Sequence, residues 1–372
     1  MKPARAIAVF AAALIAAAAV GVCRADSFFT IRDLSTLGGG FSLAYGINDS
    51  GWVVGESPDA SDDSHAFLYD PVNQSMADLG TLGGFTSQAN AINASGKVVG
   101  GSWLTGDEEC NAFQYPPGGP IAGIATLGGT MAQGWGINSA GDVVGTSTDS
   151  TDILNRAFLY DGVTVKNLGT LGGNESEGMA INDSGVVVGK ASLASGFQHA
   201  FKDSGHTGSS MTDLSTLGGA GSSAAGINNA GQIVGSSDLA TPGMTHAFLY
   251  SGGTMSDLGT LGGDSSWGYG INSYGMVVGN AYTGGNAALH AFVRSSGGTM
   301  YDLNDLVNPT SGWVLTEARA INTDGWIVGW GTIGSETHAF LLEYESPEPA
   351  TWALLALGLG TGLYFKRRRR KA

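Results

Sequence analysis

Histidine, asparagine and carboxylate side chains recur along this sequence at regular intervals, and such groups can bind metals or transfer protons. Five of the six His come directly before Ala-Phe, and they occupy equivalent places in a repeating unit. Equivalent positions of successive repeats lie far apart in a repeat protein. The imidazole rings therefore cannot converge on one zinc ion, which needs each ligand atom at roughly 2 Å. We therefore predict no metal site and expect structural His that bond an adjacent repeat or turn. These residues are His65, His199, His246, His290 and His338.

Motifs of known catalytic chemistry do not occur. The sequence has no Gly-x-Ser-x-Gly elbow, no His-Glu-x-x-His and no Asp-x-Asp-x-Asp-Gly loop, so no catalytic residue is predicted. Gly-Gly pairs follow Thr-Leu, as at Gly83 and Gly84, but no Lys accompanies them and strands are predicted to follow instead of a helix. We expect these pairs to connect repeats, where they need positive φ or close backbone approach.

These residues lie in a unit that the chain uses repeatedly. Each unit contains Ile-Asn, two variable residues and Gly, and successive Asn are separated by 45, 45, 44, 46, 44 and 50 residues. A nearly fixed period of this size indicates a repeat architecture. Asn at the first position and Gly at the fourth favour a type I turn. The anchor residues are Asn48, Asn93, Asn138, Asn182, Asn228, Asn272 and Asn322.

Four short strands are predicted in each unit. Small alternating residues precede the turn and a β-branched pair follows it, which is typical of a hairpin. The His-Ala-Phe run and the Asp-Leu run supply two more strands. Four antiparallel strands in about 45 residues match one blade of a β-propeller. The sequence therefore predicts an all-β fold, a seven-bladed β-propeller of four-stranded blades.

The two ends of the repeat region favour a closed ring. The chain enters at residues 28–34 with the Asp-Leu strand and leaves at residues 338–344 with the His-Ala-Phe strand. We therefore predict that the N-terminal strand completes the last blade, which leaves no unpaired blade edge. An open β-solenoid is the alternative, and it gives no reason for this complementary phasing.

Composition and charge agree with a soluble, turn-rich β protein. The sequence has 61 Gly in 372 residues and 42% hydrophobic residues. Nine of the 17 Lys and Arg lie near the termini, so the region between them carries eight basic and 32 acidic residues, a formal charge of −24. Such a surface repels polyanions, and we predict no nucleic-acid partner.

The N-terminal segment predicts export. Residues 1–25 contain two early basic residues, a long apolar run and small residues at the cleavage positions, which indicates a signal peptide cleaved after Ala25. Acylation of Cys23, as in a lipoprotein, is the alternative. Cys110 is then the single thiol of the exported chain and has no partner for an internal disulfide. We expect it to be a small buried or half-buried residue and not a nucleophile.

The C-terminal segment, residues 347–372, combines Pro347, Glu348 and Pro349 with an apolar stretch and a final Lys/Arg cluster. As a helix the apolar stretch is about 24 Å long, a minimal membrane span with a positive anchor. The arrangement resembles a PEP-CTERM sorting signal. This resemblance implies a Gram-negative, exopolysaccharide-producing bacterium. It also implies transient inner-membrane anchoring and cleavage near the triplet by an exosortase-type protease.

The repeats, over about residues 31–344, resemble the extracellular HAF-repeat family, which is named for the His-Ala-Phe tripeptide. Asn111 and Arg156 replace the His in two repeats, so that His is not required in every repeat. The resemblance implies an extracellular location and brings no assigned activity. The predicted organisation is a signal peptide at 1–25, a seven-repeat propeller at 26–346 and a sorting and transmembrane segment at 347–372.

Candidate ligand-binding residues are those that differ between repeats, because packing occupies the shared positions. The residue two before the anchor Ile varies most, while both of its neighbours are always Gly or Ala. Packing between blades is one interpretation of this ring of side chains. The other is a channel-mouth site whose aromatic rings stack on a glycan and whose Arg donates hydrogen bonds. The predicted site residues are Tyr45, Asn90, Trp135, Tyr269 and Arg319.

Two functions follow from these expectations. The first is a cell-surface or extracellular-matrix module, associated with exopolysaccharide or biofilm, that binds polysaccharide or serves as a structural element. The alternative is a glycan-active hydrolase or lyase with paired carboxylates at the propeller channel. No cofactor is predicted. The acidic loop of Glu56, Asp59, Asp62 and Asp63 offers a weak Ca²⁺ site as an alternative to a solvated loop.

Overall fold

The computed structural model describes residues 28–205 and 210–344. Within these ranges the chain is β-strand, turn and loop, apart from two single-turn 3-10 helices at Gly284–Asn286 and Leu303–Asp305. No helix in this part of the chain is long and apolar enough to cross a bilayer. The predicted signal peptide with Ala25, and the predicted sorting motif at residues 347–349, lie outside the described residues.

The strands fall into the repeats that the anchor Asn residues define. The first three repeats comprise β2 (Leu43–Ile47), β3 (Val53–Pro58), β4 (Ser64–Asp70) and β5 (Ser75–Asp78); β6 (Gly83–Ile92), β7 (Val98–Leu104), β8 (Cys110–Tyr115) and β9 (Ala122–Gly123); and β10 (Gly128–Ile137), β11 (Val143–Asp149), β12 (Asn155–Tyr160) and β13 (Val165–Asn167). Repeats 4 and 5 comprise β14 (Gly172–Ile181), β15 (Val187–Leu193), β16 (Gln198–Asp203) and β17 (Thr212–Asp213); and β18 (Gly218–Ile227), β19 (Ile233–Leu239), β20 (Thr245–Ser251) and β21 (Thr254–Asp257). Repeats 6 and 7 comprise β22 (Gly262–Ile271), β23 (Val277–Thr283), β24 (Leu289–Arg294) and β25 (Met300–Asp302); and β26 (Trp313–Ile321), β27 (Ile327–Ile333) and β28 (Glu336–Tyr344), to which β1 (Phe29–Asp33) is added.

Each repeat folds into its own antiparallel sheet with the strands paired in chain order. In repeat 7 the fourth position is taken by β1, which pairs with β28 from Phe29 opposite Tyr344 to Asp33 opposite Phe340. One parallel bridge between Met131 and Cys110 joins the sheets of repeats 2 and 3. The prediction of an all-β fold with four strands per repeat is confirmed.

The anchor Asn residues hold the turns between first and second strands and also link neighbouring repeats. The Asn48 side-chain oxygen accepts from the backbone N–H groups of Ser50 and Trp52, and Gly51 N–H donates to the Asn48 carbonyl, as the predicted turn requires. The Asn48 amide nitrogen then donates to the carbonyl of Asn93 at 3.2 Å. The same bond links each anchor to the next and returns from Asn322 to Asn48 at 3.2 Å. Sequence reasoning found the turn and missed this second role.

The first strand of each repeat is the innermost. First strands contact the first strands of the neighbouring repeats, and this includes β26 with β2. At one end they enclose a cavity of about 320 Å³ that is lined by the anchor Ile, the anchor Asn and the next residue of every repeat. These strands therefore surround a central channel, and side chains on their inner side face it.

The core lies between successive sheets. The Phe of each His-Ala-Phe run, or of its equivalent, is fully buried beside the Val-Val pair of the second strand; these Phe are Phe67, Phe113, Phe158, Phe201, Phe248, Phe292 and Phe340. The Gly after the Val pair has no room for a side chain. A Cβ on Gly279 would collide with the carbonyl oxygen of Trp267 and come within 2.9 Å of the Phe292 ring. This contact explains the recurring Val-Val-Gly.

Candidate functional site

The variable residue of each first strand occupies a β-bulge. In repeat 1 the pairing passes from Ala44 opposite Gly55 to Gly46 opposite Val54, and Tyr45 is left without a partner residue. The same interruption occurs at Asn90, Trp135, Met179, Ala225, Tyr269 and Arg319. Bulges re-aim a side chain without ending the strand. The seven variable residues therefore share the same backbone bulge and differ only in their side chains.

The small residues beside each bulge allow the first strands to approach one another. A Cβ on Gly46 would lie 3.2 Å from the Cα of Ala91 and from the carbonyl of Asn90 in the next repeat. On Gly270 it would lie 2.9 Å from the carbonyl of Arg319. Contacts this short leave little room for a larger side chain. They explain why the residues on either side of each bulge are always Gly or Ala.

Three of the five predicted site residues come together around one guanidinium group. The central carbon of Arg319 lies 4.4 Å from the ring centre of Tyr269 and 5.5 Å from that of Tyr45. Trp330 adds a third ring at 5.5 Å and packs edge-on against Tyr45. A guanidinium within about 6 Å of a ring face is attracted by the ring quadrupole. We call Arg319, Tyr45, Tyr269, Trp330 and their ion-pair partner Glu317 the Arg319 cluster.

Two carboxylates are half-buried here, Glu317 within the Arg319 cluster and Glu56 beside it. Glu317 accepts from Arg319 Nη1 at 3.1 Å and from Asn280 Nδ2 at 2.7 Å. Glu56 accepts from the Tyr45 hydroxyl at 2.8 Å. Burial raises the pKa of both carboxyl groups above the ordinary value, because water solvates their charged forms less well.

The two tyrosines are also shifted. Burial raises the pKa of the Tyr269 hydroxyl to about 12, and the negative charge of Glu317 adds to this shift. Burial and the charge of Glu56 likewise raise the pKa of Tyr45. Both hydroxyls therefore stay protonated at neutral pH and can donate hydrogen bonds.

The channel wall is asymmetric. From the Arg319 cluster the polar contacts continue to Gln88 in repeat 2, which receives a hydrogen bond from Gln133 of repeat 3 at 3.1 Å. Repeat 5, next to repeat 6, presents Ala225, and Ser223 lies opposite Ser236 across the two strands. The guanidinium and the three rings of the Arg319 cluster come from repeats 6, 7 and 1, whereas repeat 4 pairs Lys190 with Glu177 at 3.3 Å and repeat 3 presents Trp135.

The other two predicted site residues have different surroundings. Asn90 is 9% exposed, and its amide donates to the carbonyl of Gly134 at 2.8 Å, so it binds one repeat to the next. This contact belongs to the packing between repeats, which is the first of the two interpretations of the variable positions. Trp135 is half-buried, and its indole N–H is buried without a hydrogen-bond partner among the described residues.

Sequence reasoning placed Glu56 in the acidic loop and did not recognise two further variable positions as parts of the site. One is four residues before the anchor Ile and includes Gln88 and Glu317; the other directly follows Val-Val-Gly or Ile-Val-Gly and includes Glu56, Asn280 and Trp330. The two positions lie opposite each other on paired strands, as Glu317 does with Trp330. The signal was present in the sequence, since the rule that selected Tyr45 applies equally to both positions.

Each repeated His is bound within its own sheet. His246 Nδ1 lies 2.8 Å from Asp257 on the adjacent outer strand, and the Asp also caps the backbone N–H of Gly259. The other four pairs are His65 with Asp78, His199 with Asp213, His290 with Asp302 and His338 with Asp33. Repeats that lack the His also lack the Asp, for Asn111 and Arg156 accompany Gly123 and Asn167. The His are therefore structural, with a partner in the same sheet and not in an adjacent repeat.

The acidic loop divides between two environments. Glu56 faces the channel cluster, and Asp59 accepts from the backbone N–H groups of Ser61 and Asp63 and so closes its own turn. Within residues 28–205 and 210–344 no three His, Cys, Asp or Glu side chains are grouped as a metal site would need. Cys110 is buried, and burial raises its thiol pKa to about 11, which disfavours the reactive thiolate.

Comparison with known proteins identifies the architecture. No protein-family model matches the sequence, and a search of curated proteins finds no relative. Among solved structures, an oligogalacturonate lyase in complex with manganese has a TM-score of 0.51 at 12% identity, covering 88% of this chain and 96% of that one. TolB from Acinetobacter baumannii has a TM-score of 0.46 at 15% identity, with coverages of 77% and 65%. A gluconolactonase from Xanthomonas campestris has a TM-score of 0.40 at 10% identity, with coverages of 85% and 90%.

The sheets, their common channel and the likeness to the lyase define the class of this protein. It is an all-β protein of the β-propeller class, built from repeated four-stranded sheets. At 12% identity the likeness concerns the fold alone.

Proposed function

We propose that this chain is an exported, seven-bladed β-propeller that binds a glycan through the Arg319 cluster at its channel. The observation that carries the proposal is the guanidinium of Arg319 among three aromatic rings, with Glu317 bound to the guanidinium and Glu56 bound to the Tyr45 hydroxyl. None of these side chains recurs at the same position in more than two repeats, so propeller packing does not require them.

The closed ring is part of the proposal. Each sheet serves as one blade, and β1 completes the last blade beside β28. Its support is the register of that pair and the hydrogen bond from Asn322 to Asn48, which joins the last anchor to the first. Closure gives the channel a continuous wall on which one arc can hold a ligand.

The cluster has the chemistry that sugar recognition needs. Aromatic faces stack on the C–H faces of sugar rings, while Arg and carboxylate groups exchange hydrogen bonds with the hydroxyls. The Arg319 side chain is 28% exposed, and its ion pair with Glu317 holds the guanidinium in a fixed orientation. A site that is organised before binding loses less entropy when it orders its ligand.

Export and sorting complete the proposed role. The signal peptide, the HAF-repeat resemblance and the tripartite C-terminal segment support passage across the inner membrane and processing by an exosortase-type protease. An exported binding module in an exopolysaccharide-producing cell would attach to the matrix or serve as a structural part of it.

Binding is tested with the full-length chain in mild detergent on an array of bacterial exopolysaccharide fragments. The double substitution E317Q/R319Q removes both charges together, so that neither is left buried without its partner. We expect it to weaken binding at least tenfold, with the fold retained by circular dichroism. M179L changes the equivalent bulge residue of repeat 4 and should bind as the parent does. Equal binding by all three proteins would contradict the proposal.

A glycan-active hydrolase or lyase is the second candidate, and the observation that favours it is the pair of channel carboxylates with raised pKa values. Such groups can act as general acid and base or nucleophile. Incubating the same fragments with the protein, and with E56Q and E317Q, tests this function by the appearance of new reducing ends or of unsaturated sugars. Cleavage by the parent that both substitutions abolish would favour the enzyme over the binding module.

A further inference from the structure

A surface cleft above the Gly-Gly pair, beside the loop that joins second and third strands, differs between repeats. We call this cleft the notch, and it lies away from the channel. In repeat 2, Asp107 of this loop accepts from the backbone N–H of Phe85 at 2.9 Å. In repeat 6, Asn286 accepts from Asp264 N–H at 2.8 Å. Repeat 3 has the same bond from Thr130 to Asp152. In these repeats a side-chain oxygen of the chain itself fills the notch above the Gly-Gly pair.

Repeat 4 has the same backbone without the side chain. Gly196 N–H donates to the carbonyl three residues earlier at 2.9 Å, as Asp107 and Asp152 do. All of these loop residues have positive φ, which is 54° at Asp107, 56° at Asp152, 57° at Asn286 and 89° at Gly196. Gly196 therefore stands where repeats 2, 3 and 6 place the capping oxygen, and no side chain leaves its Cα.

The notch of repeat 4 is an open cavity of about 400 Å³. The ladder between first and second strands skips the residues between Gly172 and Ser176, so the backbone of Asn174 lies outside the regular pairing. Asn174, Glu175 and Gly196 line the cavity. A Cβ on Gly84 or Gly129 would meet a capping carboxylate at 2.5 Å, whereas on Gly173 it would meet the second strand.

The rim and the charge of the cavity restrict what it can hold. Phe197 follows Gly196 and is 55% exposed, and Ile153 next to the lining residue Leu154 is 77% exposed. Glu175 is the one ionisable lining residue, and no Lys, Arg or His lines the cavity, so an anionic ligand would be repelled.

We propose that the notch of repeat 4, lined by Asn174, Glu175 and Gly196, is a second binding site that takes a neutral sugar. A hydroxyl oxygen of the sugar accepts from the backbone N–H of Asn174, in the place of the capping oxygen of repeats 2, 3 and 6. The hydroxyl proton is donated to Glu175, and Phe197 packs on the apolar face of the ring. The choice of a sugar rests on the proposed glycan binding, whereas the site itself rests on the comparison between repeats.

The test restores the capping group. G196D places an Asp at a backbone conformation that Asp107 and Asp152 already adopt, so the protein should fold and fill its own notch. Backbone amide spectra of the full-length chain in detergent are followed during titration with maltotriose, cellotriose and, as an acidic probe, trigalacturonate. We expect the Asn174 amide to shift saturably with a neutral trisaccharide in the parent and not in G196D. F197A should weaken binding up to about tenfold, the value of one aromatic contact.

Three outcomes would overturn the site: no neutral probe shifts Asn174, G196D binds as the parent does, or only trigalacturonate binds. The channel variant E317Q/R319Q separates this proposal from the previous one. It should leave the Asn174 response intact, because the notch shares no residue with the Arg319 cluster. G196D should likewise leave array binding through the channel unchanged.

Discussion

At the scale of single residues, the channel carboxylates show how burial changes an ordinary group. Glu56 sits beside Tyr45 with a raised pKa, because few water molecules reach its charged form. A carboxyl whose pKa is higher in the folded chain adds stability below its unfolded pKa. That stability is lost as the pH rises through the folded pKa. The cluster is therefore most stable in mild acid and least stable where both carboxylates are ionised.

E56Q should raise the melting temperature at pH 7.5 and change it little at pH 4. Gln keeps the acceptor for the Tyr45 hydroxyl and removes the poorly solvated charge. Thermal melts of parent and variant at the two pH values measure the effect. E108Q, at an exposed position, should shift neither melt. A lower melting temperature for E56Q at pH 7.5 would show that the charge stabilises the site.

The His–Asp pairs are the other residue-scale feature, and they can be measured by a double-mutant cycle. H246Q, D257N and the double variant should give a coupling free energy of about 1 kcal/mol, the usual net value of a hydrogen bond in a protein. Chemical denaturation provides the free energies of unfolding. The same cycle with R156Q and N167A, where the pair does not occur, should give a coupling near zero. Similar coupling at both sites would mean that the pairs add nothing specific.

At the scale of strands, the bulge of the first strand and the Val-Val-Gly segment of the second strand pack against each other. The bulge turns the variable side chain out of the ladder, and the carbonyl four residues before the anchor Ile then lies over the Gly of the second strand. Sequence reasoning found both segments as strands from their alternation. It could not foresee the contact, because the contact depends on one extra residue in the pairing.

G279A should destabilise the protein by about 2 kcal/mol or more, since the new methyl group must displace a backbone carbonyl and a fully buried ring. G284A provides the control, because a Cβ there meets nothing within 4 Å and the residue is exposed. Urea unfolding curves of the two variants give the comparison. Equal stability would mean that the second strand can shift away from the bulge at little cost.

At the scale of the whole molecule, the first and last segments of the repeat region share one sheet. Phe29 of β1 is 1% exposed and packs edge-on against Tyr344 of β28. The pair Arg32 and Glu343, 2.8 Å apart, lies on the same two strands. Loss of this sheet would expose the apolar faces of the two sheets that pack against it, so we expect its stability to be linked to that of the neighbouring repeats.

F29A should cost about 3–5 kcal/mol, as is usual when a buried Phe is truncated, and the protein should still unfold in one transition. Calorimetry and chemical denaturation report the number of transitions. F197A removes an exposed Phe and should leave the midpoint unchanged. A separate early transition in F29A would show that the last sheet opens independently of the other sheets.

The sequence by itself determined the repeat, the four strands, the turn at each Asn and the complementary phase of the two ends, because these depend on local patterns that the chain states several times. The tertiary structure decided which variable side chains meet. Tyr45, Tyr269 and Arg319 are far apart in the chain and come together only because neighbouring first strands approach at their bulges. It also decided that Asn90 binds a neighbouring repeat and that Gly196 leaves a notch open. Contacts between repeats depend on side-chain direction and backbone register in three dimensions, which no one-dimensional period contains.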